Sequence, residues 1–265
     1  MSSNDSLKNI IGIALGVCLV CSLLVAAAAV FLGPRQVANQ TLEKLKNVLI
    51  AGGLMQKGET GVDVPQVFSE KIQPVLIDIE TGEELPKEKM TEKLAPEKFD
   101  VKELAKEPAY SLKLSSDKDV ANIRRIPRNM MVYFVKEGDH YSRVVFPVYG
   151  AGLWSTLYGF LALDRDLKTI KGFTIYEHGE TPGLGGEVEN PQWQATWQGK
   201  MAFDNDHKYV LKVIKGKAGQ GSTTEIDGLS GATLTTRGVD NMIAFWLGQN
   251  GYGPFLDKLR TKQGN

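Results

Sequence analysis

The stretch "DGLSGATLTT", Asp227 to Thr236, sets hydroxyl groups beside glycine directly ahead of an amphipathic segment. Ser230, Thr233, Thr235 and Thr236 supply the hydroxyls, while Gly231 and Ala232 let another group come close to the backbone. Two chemistries suit such a run. A Ser or Thr side chain can cap a helix by accepting a bond from a backbone N–H. A helix start can also hold a phosphate, because its first N–H groups are unpaired and carry partial positive charge. The residues by themselves leave both readings open. A serine nucleophile is excluded by chain order: "GLSGA" is preceded by polar sequence rather than a buried strand, and no histidine follows His207. A metal centre is disfavoured too. His140, His178 and His207 are far apart and lack C-x-x-C or H-E-x-x-H company.

A second segment bears on the same question. "EHGETPGLGGE", Glu177 to Glu187, has four glycines and a single large apolar side chain, Leu184. Such a loop can press its amides against a planar ring or a phosphate, or serve as a long turn. Its spacing is not G-x-G-x-x-G, so a Rossmann dinucleotide site is disfavoured.

These segments need elements to position them. Val239, Met242, Ile243 and Trp246 recur at helical spacing and predict a helix over 236–247, with another over 254–259 and one near 190–197. "MVYFVKE", "SRVVFPVYG", "LYGFLALD" and "IKGFTIYEH" are β-branched and aromatic runs parted by turn residues, and they predict a sheet. "VLIDI" and "YVLKVIK", 75–79 and 209–215, read as further strands. The fold class expected is α+β, a mixed α/β domain behind one membrane helix.

The membrane helix is residues 10–32, an uncharged run of 23 residues. At 1.5 Å per residue it is long enough for a hydrocarbon core of roughly 30 Å, and longer than the apolar region of a signal peptide. Cys18 and Cys21 both lie in it, so the remainder holds no disulfide. An amphipathic helix is expected over 36–51 beyond Pro34, ended by Gly52 and Gly53. Residues 86–119 are dense in Lys and Glu and read as a solvated excursion or hinge. The expected organisation is a tail over 1–9, the membrane helix over 10–32, a helical and charged connecting region over 33–129, and a domain core over 130–265. With 31 basic and 31 acidic residues the chain is formally neutral, which argues against a nucleic-acid partner.

The tail, the membrane helix, "ETPGLGGE" and "DGLSGATLTT" together resemble the C subunit of the sodium-translocating NADH:quinone oxidoreductases over nearly the whole chain. In that family Asp-x-x-Ser-Gly-Ala-Thr is the signal read by a magnesium-dependent flavin transferase. Asp227, Ser230, Gly231, Ala232 and Thr233 match it without departure. The resemblance implies FMN joined covalently to Thr233 through a phosphoester, with no catalytic residue on this chain and no metal. It further implies FMN contacts from Glu180, Thr181, Leu184, Gly185, Ser230, Gly231 and Ala232, a cation from Lys215, and neighbours in Trp154 and Ser155. On residue type alone Trp154 suits a core aromatic equally well. The partners implied are the other subunits of a multi-subunit membrane oxidoreductase. They include an iron–sulfur-bearing membrane pair and a second covalent-FMN subunit, with ubiquinone as the complex's acceptor. The soluble domain is implied to be periplasmic, on the bacterial inner membrane. The flavin subunit of the ferredoxin:NAD oxidoreductase complex shares the motif and is the related alternative. A cofactor-free membrane adaptor, with "SGAT" as a plain helix cap, is the third.

Overall fold

The structure, a computed structural model, describes residues 7–86, 88, 90–96 and 98–264. Residues 1–6 of the expected tail, and Lys87, Lys89 and Glu97 of the charged stretch, lie outside the described residues. Helix α1 runs Leu7–Ala51 with Pro34 inside it, so the expected membrane helix and the amphipathic helix beyond it are one element. It contains a stretch long and apolar enough to cross a membrane, of mean hydropathy 2.8. Its side chains from Ile10 to Leu32 are exposed, Cys18 and Cys21 among them. The chain divides into two compact units, Met1–Lys44 and Leu45–Asn265.

In the second unit the last turn of α1 ends as the sequence predicts. Gly53 takes φ +68°, and Leu54 N–H returns to Leu49 O at 2.8 Å, an exit that glycine makes without steric cost. Helix α2 (Val64–Lys71) is capped by Asp63, whose carboxylate accepts from Gln66 N–H. Strand β1 (Ile72–Asp78) follows directly. The charged stretch is no loose excursion. Helix α3 (Val101–Lys106) starts at Asp100, which accepts from the N–H groups of Lys102 and Glu103, and Leu94, Phe99, Val101 and Leu104 are buried. Strands β2 (Ser111–Lys113) and β3 (Arg125–Pro127) pair antiparallel beside it. Its described lysines and glutamates are the outer face of a packed segment.

The central sheet is antiparallel with order β1-β4-β5-β6-β7, where β4 is Asn129–Glu137, β5 His140–Ala151, β6 Thr156–Asp164 and β7 Ile170–Glu177. Val144 to Gly150 are buried without alternation, as in a strand covered on both faces. After β7 come a 3-10 turn at Gly185–Glu189 and helix α4 (Pro191–Ala195), whose N-cap Asn190 accepts from Gln192 N–H. The expected strand over 209–215 shrinks to β8 (Lys212–Val213), paired parallel with β9 (Glu225–Ile226). Its alternation is real, since Leu211 and Val213 are buried. The ladder is short because Val213 N–H donates to the Asp240 carboxylate at 2.8 Å and Val210 N–H to Ala202 O at 3.0 Å. Helices α5 (Thr233–Leu247) and α6 (Gly253–Gly264) close the chain.

Helix α5 positions the site, and its seat on β5 is tight. Trp246 Nε1–H donates to Tyr149 O at 2.7 Å, and Val239, Met242, Ile243 and Trp246 are fully buried. A Cβ at Gly238 would stand 2.3 Å from Ala151 O, so only glycine allows the helix this approach.

Candidate functional site

Three segments meet at the start of α5. The first is the β5–β6 loop, residues 152–155, closed by Gly152 N–H to Ser155 O at 2.7 Å. The second is the glycine-rich loop from His178 to Gly185. The third is the motif itself, Asp227 to Thr233.

Glu180 joins them. It is 5% exposed. Its carboxylate accepts from the N–H groups of Leu153 (3.2 Å), Trp154 (2.9 Å) and Ser155 (3.1 Å) and from the Ser155 hydroxyl (3.3 Å). The Thr235 hydroxyl, on the first turn of α5, donates to it at 2.6 Å. Burial alone would raise its pKa. The Thr235 hydroxyl and the three amides together outweigh burial and hold the carboxyl below the usual glutamate value. Both oxygens are therefore engaged by protein, and Glu180 is the ionised tie between loop, loop and helix. Gly185 fits against the same pair: a Cβ there would lie 2.6 Å from Thr235 Oγ1 and 2.7 Å from Glu180 Oε2. Ser155 completes the knot by accepting Gly179 N–H at 2.6 Å. His178 sets the loop's entry, its Nδ1 accepting Glu180 N–H at 3.1 Å and its Nε2 lying 3.4 Å from Glu189.

At the motif, Gly231 takes φ +72° and its Cβ position would be 3.0 Å from Leu184 Cδ2, which brings the glycine loop against "SGAT". Thr233 and Ser230 are exposed, as is Thr181, whose carbonyl instead accepts the N–H groups of Leu184 and Gly186. The N-cap of α5 is Ala232, whose own side chain makes no capping bond. The capping reading of the hydroxyls is thereby removed. Thr236 turns its Oγ1 inward to accept Leu229 N–H at 2.9 Å, Thr235 serves Glu180, and Thr233 is left at the solvent face of an uncapped helix start.

Asp227 is drawn into the protein. Its carboxylate accepts Ala218 N–H at 2.7 Å and its carbonyl accepts Trp193 Nε1–H at 2.8 Å. Gly228 N–H donates to Gly216 O at 2.8 Å, so the segment carrying Lys215 lies along the motif, with the Lys215 side chain exposed. Lys215 thus borders Gly228 and Asp227 is held to Ala218 and Trp193, while Trp154, Ser155 and Gly185 gather at Glu180 and Leu184 meets Gly231.

Of the apolar rim, sequence reasoning named Trp154 and Leu184 and passed over Leu153 and Leu234. Among the described residues of the second unit the exposed large apolar side chains are Val120, Leu153, Trp154, Leu184 and Leu234; Leu153, Trp154 and Leu184 sit on these segments and Leu234 directly follows the third. Trp154, 71% exposed, is no core aromatic. Leu234 carried a signal in the sequence, being an apolar residue outside the buried stripe of α5; Leu153 carried none. Exposed apolar side chains around one hydroxyl suit a flat aromatic ligand, and an uncapped helix start suits its phosphate. The residues present therefore fit FMN.

Known proteins agree. The family model described as FMN-binding domain matches residues 152–248, which span all three segments. The C subunit of the Na(+)-translocating NADH-quinone reductase of Vibrio campbellii is 47% identical over 98% of this chain and 97% of its own. Its namesake from Pseudomonas aeruginosa is 43% identical over 98% of each chain. The crystal structure of Shewanella oneidensis NqrC superposes with TM-score 0.75 at 33% identity, covering 84% of this chain and 99% of that one. Likeness of this extent, with an FMN-binding domain behind an apolar helix, makes the chain a member of the NqrC family, the C subunits of the Na(+)-translocating NADH-quinone reductases.

Proposed function

We propose that Thr233 carries FMN through a phosphoester, and that the protein uses this tethered flavin to pass electrons inside the sodium-pumping complex. The observation that carries the reading is the exposed Thr233 hydroxyl at a helix start with no side-chain cap. A phosphodiester there has one negative charge, which the unpaired N–H groups of the first turn of α5 and the Lys215 ammonium would stabilise. Leu153, Trp154, Leu184 and Leu234 would cover the ring and shed water from it. Ser230, Gly231 and Ala232 would leave room for the linkage, and Thr181 and Gly185 would offer polar groups and backbone approach. Glu180 acts by holding these segments in register. FMN when bound supplies the electron-carrying chemistry, and the protein sets its orientation and surroundings. Activation of the Thr233 hydroxyl belongs to a separate flavin transferase reading Asp227 to Thr233. In this reading the electrons come from an iron–sulfur centre of the membrane subunits and leave to a second covalent-FMN subunit, with the folded unit on the periplasmic face.

Co-expression with a flavin transferase tests the linkage. The wild-type chain gives a yellow fluorescent band on a denaturing gel, and Thr233→Val gives a dark band of the same abundance and the same thermal midpoint. A band that stays fluorescent in Thr233→Val removes the assignment.

A further inference from the structure

Beside the β5–β6 loop, on the side of α3, lies a second cleft of about 270 Å³. Its walls carry Lys102 and Lys106 from α3, Arg124 from the turn before β3, Arg125 from the start of β3, and the rings of Tyr149 and Tyr158. The two lysines have acidic neighbours, Lys102 with Glu177 and Lys106 with Glu103 at 2.8 Å. The arginines do not: among the described residues neither has a carboxylate within 4.0 Å. Arg125 is spent on Ser111, its Nε 3.0 Å from Oγ. The remaining acid at the turn, Asp119, is engaged by backbone, accepting Ile123 N–H and Arg124 N–H at 2.7 Å each.

The turn itself is strained. Asn122 has φ +51° and Arg124 φ +68°. Arg125 N–H donates to Ile123 O at 2.8 Å, which closes a three-residue turn centred on Arg124. A turn of this kind with positive φ is rare and costly, and a long branched cation is a poor occupant of that region. Strain persists only where neighbours enforce it, and here the Asp119 carboxylate does so. The exposed side chain of Arg124 gains no packing in return.

We propose that this cleft binds a phosphate group, taken between the Arg124 guanidinium and the Lys106 ammonium with Tyr158 as its wall. Guanidinium forks match phosphate oxygens two at a time, which fits an arginine held at fixed backbone angles. The group is borne by free phosphate or by a lipid headgroup. The site is distinct from the motif at Thr233 and does not rest on the flavin linkage. The two are joined along one backbone run: Ala151 N–H donates to Ala121 O at 2.9 Å at the turn's root, and Leu153 N–H donates to Glu180 at 3.2 Å.

The test titrates inorganic phosphate against the full-length chain by calorimetry, with chloride replacing phosphate at constant ionic strength as the control. Saturable binding is expected, weakened at least tenfold by Arg124→Gln and several-fold by Lys106→Gln, and unchanged in Thr233→Val. Arg124→Gly separates site from scaffold: glycine relieves the positive φ, so its thermal midpoint rises while phosphate binding is lost. Repeating the titration in nanodiscs distinguishes the sources. Weaker apparent binding in phosphatidylcholine nanodiscs than in an uncharged detergent without phosphate identifies the headgroup as occupant, and equal binding identifies free phosphate. Absence of binding beyond the chloride control, or binding indifferent to Arg124→Gln and Lys106→Gln, overturns the proposal.

Discussion

A buried carboxylate is costly unless its lone pairs are met, and Glu180 meets its own with three amides and two hydroxyls from separate segments. Glu180→Gln keeps the shape but turns an amide NH₂ toward donors, leaving at least one N–H unpaired. The expected cost is about 2–3 kcal/mol, the usual scale for bonds to a charged group, read as a lower urea midpoint. The pH dependence has a definite sign. The folded pKa lies below the ordinary value of 4.5, so the stabilisation is fully present above 4.5 and is lost as pH falls through the depressed folded value. Denaturation series descending through 4.5 should fall less steeply for the Gln variant than for the native chain. At the motif, Gly231→Ala must place a Cβ at φ +72° and against Leu184. It should destabilise by about 1 kcal/mol and slow flavin loading in a gel-fluorescence time course.

Among the elements, α5 does most to fix the site, since it carries Thr233, Thr235 and the buried stripe through Trp246. Gly238→Ala sets two effects against each other. Alanine gains about 1 kcal/mol in helix propensity, whereas its Cβ would stand 2.3 Å from Ala151 O. Overpacking of this kind costs about 1–3 kcal/mol and the obstacle is backbone, so the net effect on a thermal melt is a lower midpoint. The helix and the four long strands of the domain core were legible because their apolar periods are strong and their ends carry turn residues. The strand over 209–215 was overextended: periodicity reports which side chains are buried, not whether a neighbouring strand supplies hydrogen bonds, and here Asp240 and Ala202 supply them. Residues 86–119 misled through charge density, which hid four apolar anchors at spacings too irregular to show a period. The motif at Thr233 was readable as hydroxyls before a helix. That Ala232, not a hydroxyl, is the N-cap depends on where Thr235 and Thr236 point, and their partners, Glu180 and Leu229 N–H, lie on other segments.

The molecule as a whole sets a helix able to cross a membrane ahead of a unit, Leu45–Asn265, that holds its own core. A chain lacking residues 1–34 should therefore fold and melt at the same midpoint as the full chain in detergent, checked by circular dichroism. A large fall in midpoint would mean that the removed helix helps hold the core. In the proposed reading, a phosphoester tether would keep the flavin in a site open to partners, where a free cofactor would be lost by dissociation. The rim of Leu153, Trp154, Leu184 and Leu234 is correspondingly exposed and not sealed. All of this depends on one bond. The direct measurement is the intact mass of the native chain from its own complex, followed by a peptide map. The account predicts an excess equal to FMN less one water, localised to the fragment that holds Thr233. A bare sequence mass, or the addition mapped to any other residue, would contradict it.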